Sequence, residues 1–211
     1  LKSLPKYDFT DFVHQVSRWR WHCHRNLYSI IASLPSLPLR GASATKQSHI
    51  VVIDYGLKYN ILRILSQFGC RITAVRCTIS AEDVLALNPD GIVLSPGPGN
   101  PAFLDYAVEM VKGLLGRKPI MGVSLGHLLM GRALGAEAFK LKFGHRGSYP
   151  VRDLATDRVY ITAQNHGYAI DADTLKGGLE VSHVNLNDGT VEGLRHRDLP
   201  ILSIQYHSEA S

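Results

Sequence analysis

Residues 119–134 read PIMGVSLGHLLMGRAL, and this stretch decides the fold. Pro119–Val123 is a short apolar run headed by a proline, the pattern of a strand buried on both faces. Leu125–Leu134 then places apolar residues at helical spacing. Between them, Gly122-Val123-Ser124-Leu125-Gly126 has the G-x-S-x-G form of a nucleophile elbow, a sharp strand-to-helix turn that presents its central side chain. The flanking glycines let backbone and neighbouring strands approach closely. The helix that follows turns its dipole and its unpaired N–H groups toward the same point. The pattern also occurs in turns without chemistry, so a catalytic reading needs partners elsewhere in the chain.

Upstream of the elbow the pattern is regular. His49–Asp54 (HIVVID) is a continuous apolar run and predicts a buried strand. Tyr59–Phe68 carries Ile61, Leu62, Leu65 and Phe68 at helical spacing, and Cys70–Val75 predicts a second strand. Ser80 with Asp83 three residues on has the form of a capping box. Gly91–Leu94 predicts a third strand that runs into a Pro/Gly-rich loop, and Leu104–Leu115 a helix. Strand and helix alternating with short joins predict an α/β fold: an open, mostly parallel sheet with helices on both faces. Beyond Phe139 the turn residues multiply and the predicted strands shorten, so this half is expected to be β-rich and to end in Ile201–Tyr206.

The composition bounds the function. The chain has 211 residues, 45% of them hydrophobic and 19% charged, which suits one soluble domain with an appendage. No apolar run reaches the length of a membrane span, and no signal-peptide pattern is present. Cys23, Cys70 and Cys77 are too few for a disulfide framework and lack metal spacing, so a cytoplasmic setting is expected. The net charge of +5 lies wholly in residues 1–48, which hold seven Lys/Arg and two Asp, while the remainder is balanced. That distribution argues against a nucleic-acid partner for the domain. Residues 1–48 lack periodicity and are expected to be a poorly structured basic segment and linker, with the domain at 49–211. Adjacent side chains on an extended chain diverge, so His22-Cys23-His24 is not expected to hold a metal.

Two further motifs supply partners for Ser124. Gln205-Tyr206-His207-Ser208-Glu209 follows a predicted strand and offers His207 as a general base with Glu209 to orient it. Ser95-Pro96-Gly97-Pro98-Gly99-Asn100-Pro101 forms a loop whose backbone N–H groups suit an oxyanion hole. Singly, each has an ordinary reading as a solvated loop or a tight turn.

Together LSPGPGNP, GVSLGH, QNHGYA, NDGTVEGL and QYHSEAS stand in the order and approximate spacing of class I glutamine amidotransferases. Phe139–Gly147, Thr162–Ala169 and Asn187–Arg195 resemble the carbamoyl phosphate synthetase small-subunit type within that class. The resemblance spans residues 49–211 and implies a flavodoxin-like three-layer fold. It implies hydrolysis of the side-chain amide of glutamine through a covalent glutamyl intermediate, with ammonia passed to a large synthetase subunit. ATP and magnesium are then expected only on that subunit, with no cofactor or metal in this chain. The catalytic positions fall on Ser124, His207 and Glu209, and the oxyanion donors on Gly97 and Leu125. The glutamine-binding positions fall on Gly97, Gly99, Leu125, Leu128, Asn165, Gly167 and Tyr168.

The sequence departs from that family pattern at several points. The family nucleophile is Cys where this chain has Ser124, and a serine hydroxyl is much harder to deprotonate than a thiol. The family Gln after Gly-His is Leu128, the His-Pro-Glu is His207-Ser208-Glu209, and the segment after GHRG is one residue shorter. The resemblance also implies a further N-terminal domain and a final helix past Ser211. The expectation is a glutaminase component with impaired activity. The alternatives are a non-catalytic docking or regulatory partner of an ammonia-using synthetase, and an independent Ser-His-Glu hydrolase.

Overall fold

The structure is a computed structural model that describes residues 47–210. The expectation for residues 1–48 lies almost entirely outside the described residues. The sheet has nine strands in the order β2-β1-β3-β4-β9-β8-β7-β5-β6. Its parallel half holds β1 (His49–Asp54), β2 (Arg71–Arg76), β3 (Gly91–Leu94), β4 (Ile120–Val123) and β9 (Ile201–Ile204). The helices that link the first four are α1 (Tyr59–Gln67), α2 (Ala81–Ala86) and α3 (Asp105–Leu114), and α4 (Leu125–Ala133) leaves β4.

Side-chain alternation in β1 explains the layers. Ile50 and Val52 face one side and pack with Ile61, Leu62 and Leu65 of α1. Val51 and Ile53 face the other and pack with Val84 of α2, Val108 and Val111 of α3, and Leu128 and Leu129 of α4. A strand covered on both faces is apolar along its middle rather than at alternate positions, which is why the IVVI of β1 does not alternate, with His49 and Asp54 at its buried ends. Ser80 caps α2 as expected: its hydroxyl accepts the Asp83 N–H at 3.0 Å.

The second half is antiparallel. It comprises β5 (Ala138–Asp153), β6 (Val159–Ile170), β7 (Leu179–Asn185) and β8 (Val191–His196), joined to the parallel half where β8 pairs with β9. The parallel character predicted for most of the sheet therefore holds for five of its nine strands. The expected shortening of strands beyond Phe139 is reversed, since β5 has 16 residues and β6 has 12. Most of β5 is exposed or half-buried, so its polar residues hide the strand from a search for apolar runs.

Candidate active site

Ser124 sits at the end of β4 with φ 53° and ψ −107°, a conformation that L-residues rarely adopt. Two close approaches hold the turn. A Cβ on Gly122 would lie 2.6 Å from the Gly126 carbonyl oxygen, and one on Gly126 would overlap the Leu94 carbonyl. The chain therefore turns from β4 into α4 only with glycine at both places. Ser124 caps α4, yet its side chain makes no cap hydrogen bond, so the hydroxyl is not engaged by the helix. The first amide of the helix, at Leu125, has no intrahelical acceptor and faces the same end.

His207 follows β9, the strand beside β4, and is 6% exposed. Its backbone N–H bonds to the Ala163 carbonyl of β6 at 2.9 Å. Its Nδ1 lies 2.7 Å from Glu209 Oε1, so that nitrogen donates to the carboxylate and Nε2 is left for other work. Lys58, at the start of α1, places Nζ 3.3 Å from the same Glu209 oxygen and 3.1 Å from His207 Nδ1. Since Nδ1 donates to Glu209, the ammonium also serves the carboxylate. Burial alone would push the Glu209 carboxyl up. The His207 hydrogen bond and charge, with Lys58 behind them, outweigh burial and hold it below the usual carboxylate range. Asn60 Nδ2 donates to the Glu209 carbonyl and ties this short turn to α1.

A cavity of about 500 Å³ joins these groups. Ser124 and His207 both line it, as do all the predicted glutamine-binding residues: Gly97, Gly99, Leu125, Leu128, Asn165, Gly167 and Tyr168. Glu209 stands behind His207, 2% exposed. The Ser95–Pro101 loop is tied to β1 by the Ser95 hydroxyl, which accepts the Tyr55 N–H at 2.9 Å and donates to the Pro96 carbonyl. Gly97 packs so closely on the Tyr55 carbonyl and Leu125 that no side chain fits there. Cys70 and Cys77 lie at the two ends of β2 and do not line the cavity, so neither stands in for a nucleophile.

Sequence reasoning missed several lining residues. Lys58, Lys140 and Arg146 bring three cations to a cavity whose described lining includes no carboxylate, a setting suited to a ligand bearing one. Arg146 is aimed by its own donation to the His145 carbonyl at 3.0 Å and to the His166 carbonyl. Gln205 is fully buried, lines the cavity, and has no protein partner for its carboxamide. A lone basic residue in a loop, or a polar residue within a strand, carries no pattern of its own in a sequence.

A second polar cluster lies in the antiparallel half and shares His166 with the lining of this cavity. His145 of β5, His166 of β6 and Glu192 of β8 are all buried, with ligand-type atoms within 4.8 Å of one another. In the sequence these three residues fall inside the family motifs, and no spacing between them marks a shared role.

Comparison with known proteins agrees with the geometry. The family described as Glutamine amidotransferase class-I matches residues 51–211. The chain is 53% identical over 163 residues to a carbamoyl phosphate synthase small chain of Staphylococcus epidermidis, covering 76% of this chain and 44% of that one. It is 52% identical over 167 residues to the chloroplastic small chain of Arabidopsis thaliana, covering 79% of this chain and 39% of that one. The chain thus spans less than half the length of these relatives. Among solved structures, a Thermoplasma acidophilum protein named for GMP synthase aligns with TM-score 0.70 at 22% identity, over 80% of this chain and 87% of that one. A Thermotoga maritima glutamine amidotransferase aligns with TM-score 0.62 at 16% identity, over 78% and 77% of the two chains.

Proposed function

This chain belongs to the class I glutamine amidotransferase family, and from that premise we propose that it is the glutaminase component of a carbamoyl phosphate synthetase, with activity attenuated by its serine nucleophile. One observation carries the reading: Ser124, strained at the elbow, shares a cavity with His207, whose Nδ1 is held by Glu209. In this reading glutamine enters the cavity with its carboxylate toward the cationic lining. Ser124 Oγ attacks the side-chain amide carbon while His207 takes the hydroxyl hydrogen. The carbonyl π electrons move to oxygen, where the Gly97 and Leu125 amides receive the charge. Collapse breaks the C–N bond, His207 returns the hydrogen to nitrogen, and ammonia leaves. Water then attacks the glutamyl ester as His207 takes its hydrogen, the acyl C–O bond to Ser124 breaks, and His207 returns the hydrogen to Ser124 Oγ as glutamate leaves.

Glu209 and Lys58 act through His207. The carboxylate fixes the ring tautomer and stabilises the imidazolium that forms during attack. The ammonia is delivered to a large synthetase subunit, which supplies ATP and magnesium, and the setting is the cytoplasm. Among the described residues no helix is long and apolar enough to cross a membrane.

Attenuation follows from the nucleophile and from Leu128. Serine has no accessible anionic form to match a thiolate beside histidine. Leu128 is 4% exposed and puts an apolar side chain against the cavity. The test is ammonia release from glutamine by the full chain. The unmodified protein should be slow, Ser124→Cys should be faster by about two orders of magnitude or more, and adding Leu128→Gln should raise the rate again. A rate already equal to that of Ser124→Cys would reject attenuation. A docking role without catalysis is the second reading. It is favoured by the exposed Phe143 and Ile161 on the β5–β6 ribbon, 85% and 73% accessible, and would be selected if neither substitution releases ammonia.

A further inference from the structure

We infer that His145, His166 and Glu192 form a binding site for a divalent transition-metal ion of the zinc class. The inference does not rest on the glutaminase reading. His145 and His166 are register partners on neighbouring antiparallel strands, and Glu192 comes from β8. The relevant atoms form a near-regular triangle: His145 Nδ1 to His166 Nε2 is 3.2 Å, His145 Nδ1 to Glu192 Oε1 is 3.5 Å, and His166 Nε2 to Glu192 Oε1 is 3.8 Å. A point equidistant from three such corners lies about 2.0 Å from each, the length of a Zn–N or Zn–O bond. Two imidazoles and a carboxylate select zinc and its first-row neighbours over magnesium or calcium, and leave a position for a fourth ligand.

The surroundings are those of a ligand set. His166 Nδ1 is 2.8 Å from the Tyr168 carbonyl, which only accepts, so in the neutral ring Nε2 carries the lone pair. His145 Nε2 is 2.8 Å from Asp188 Oδ2, an orienting carboxylate that leaves Nδ1 for a metal. Gln164 Nε2 donates to Glu192 Oε2 at 2.9 Å and Asn185 Nδ2 to Oε1 at 3.0 Å, fixing the third ligand. Metal-bound histidines characteristically have their far nitrogens held in this way.

Such an ion would tie β5, β6 and β8 together at the cavity wall, where β6 contributes Asn165, His166, Gly167 and Tyr168 to the lining. The experiment uses the full chain stripped with chelator, titrated calorimetrically with zinc sulfate and then examined by X-ray absorption. The inference expects one zinc per chain with Kd below about 1 µM and a higher Tm when loaded. It expects two imidazole nitrogens and a carboxylate oxygen at about 2.0–2.1 Å. His145→Asn and Glu192→Gln should each abolish tight uptake. Cys23→Ser should not, which separates this site from the His22-Cys23-His24 stretch. Circular dichroism checks that the variants fold, and if they do not, the X-ray absorption of the unmodified chain decides. No uptake, uptake retained in both site variants, or a sulfur ligand overturns the inference.

Discussion

At the scale of single residues, Ser124 concentrates the strain of the molecule. Its φ of 53° and ψ of −107° are maintained because β4, its neighbour β9 and the packed start of α4 leave no alternative path. Ser124 N–H bonds to the Ile204 carbonyl at 2.8 Å, and its own carbonyl receives the His127 and Leu128 amides at 3.0 and 3.2 Å. A non-glycine residue held in such a region costs about 1–3 kcal/mol. Glycine at this position lacks the Cβ that causes the strain. Ser124→Gly should therefore raise stability by about 1 kcal/mol in denaturant melts while abolishing any hydrolysis. Ser124→Ala keeps the Cβ and should show no such gain. Equal gains from both would place the effect in the hydroxyl rather than the backbone.

At the scale of elements, the elbow joins β4 to α4 at van der Waals distance from β3. Because a Cβ on Gly126 meets the Leu94 backbone, Gly126→Ala requires two central elements to move apart. It should cost about 1–3 kcal/mol or more, read as a fall in Tm. Gly131, on the same helix, faces the end of the Ile170 side chain, which can rotate away, so Gly131→Ala should be milder. A larger loss at Gly131 would contradict the packing described. These elements were legible in the sequence because double-faced burial makes β3, β4 and the middle of β1 continuously apolar and packing of one face gives α1 its 3.6-residue rhythm. The long β5–β6 ribbon was not, because its strands are held by backbone pairing from Ser148↔Ala163 through Pro150↔Ile161 with little apolar burial. The site divides in the same way. Ser124, His207 and Glu209 lie in compact motifs, whereas Lys58 reaches His207 across 149 residues of chain and no local pattern announces it.

At the scale of the whole molecule, the buried histidines make stability depend on pH. His127 is fully buried on α4, its Nδ1 2.9 Å from the Ser203 hydroxyl and its Nε2 without a partner. Desolvation, reinforced by His166 and His183, pushes its pKa down from 6.5 to about 3. Between those values the unfolded chain holds a proton that the folded chain does not, so acid draws the equilibrium toward unfolding. The slope from this one group reaches about 1.4 kcal/mol per pH unit. His183 is also lowered, mainly by burial against the opposing pull of Asp153 and Glu192, and adds in the same direction. Glu209 acts over a different window. Its folded value lies below the usual carboxylate range, so its contribution is complete above about pH 4.5 and is lost as pH falls through the folded value. Urea melts from pH 7 down to pH 4 should therefore show stability falling from about pH 6.5, well before carboxylates titrate. His127→Asn keeps a polar atom near Ser203 and removes the titrating ring. It should be less stable at pH 7 but show a flatter decline between about pH 6.5 and 4.5. Glu209→Gln should leave that interval unchanged. If His127→Asn declines as steeply as the parent, the acid sensitivity arises elsewhere than in the helix behind the elbow.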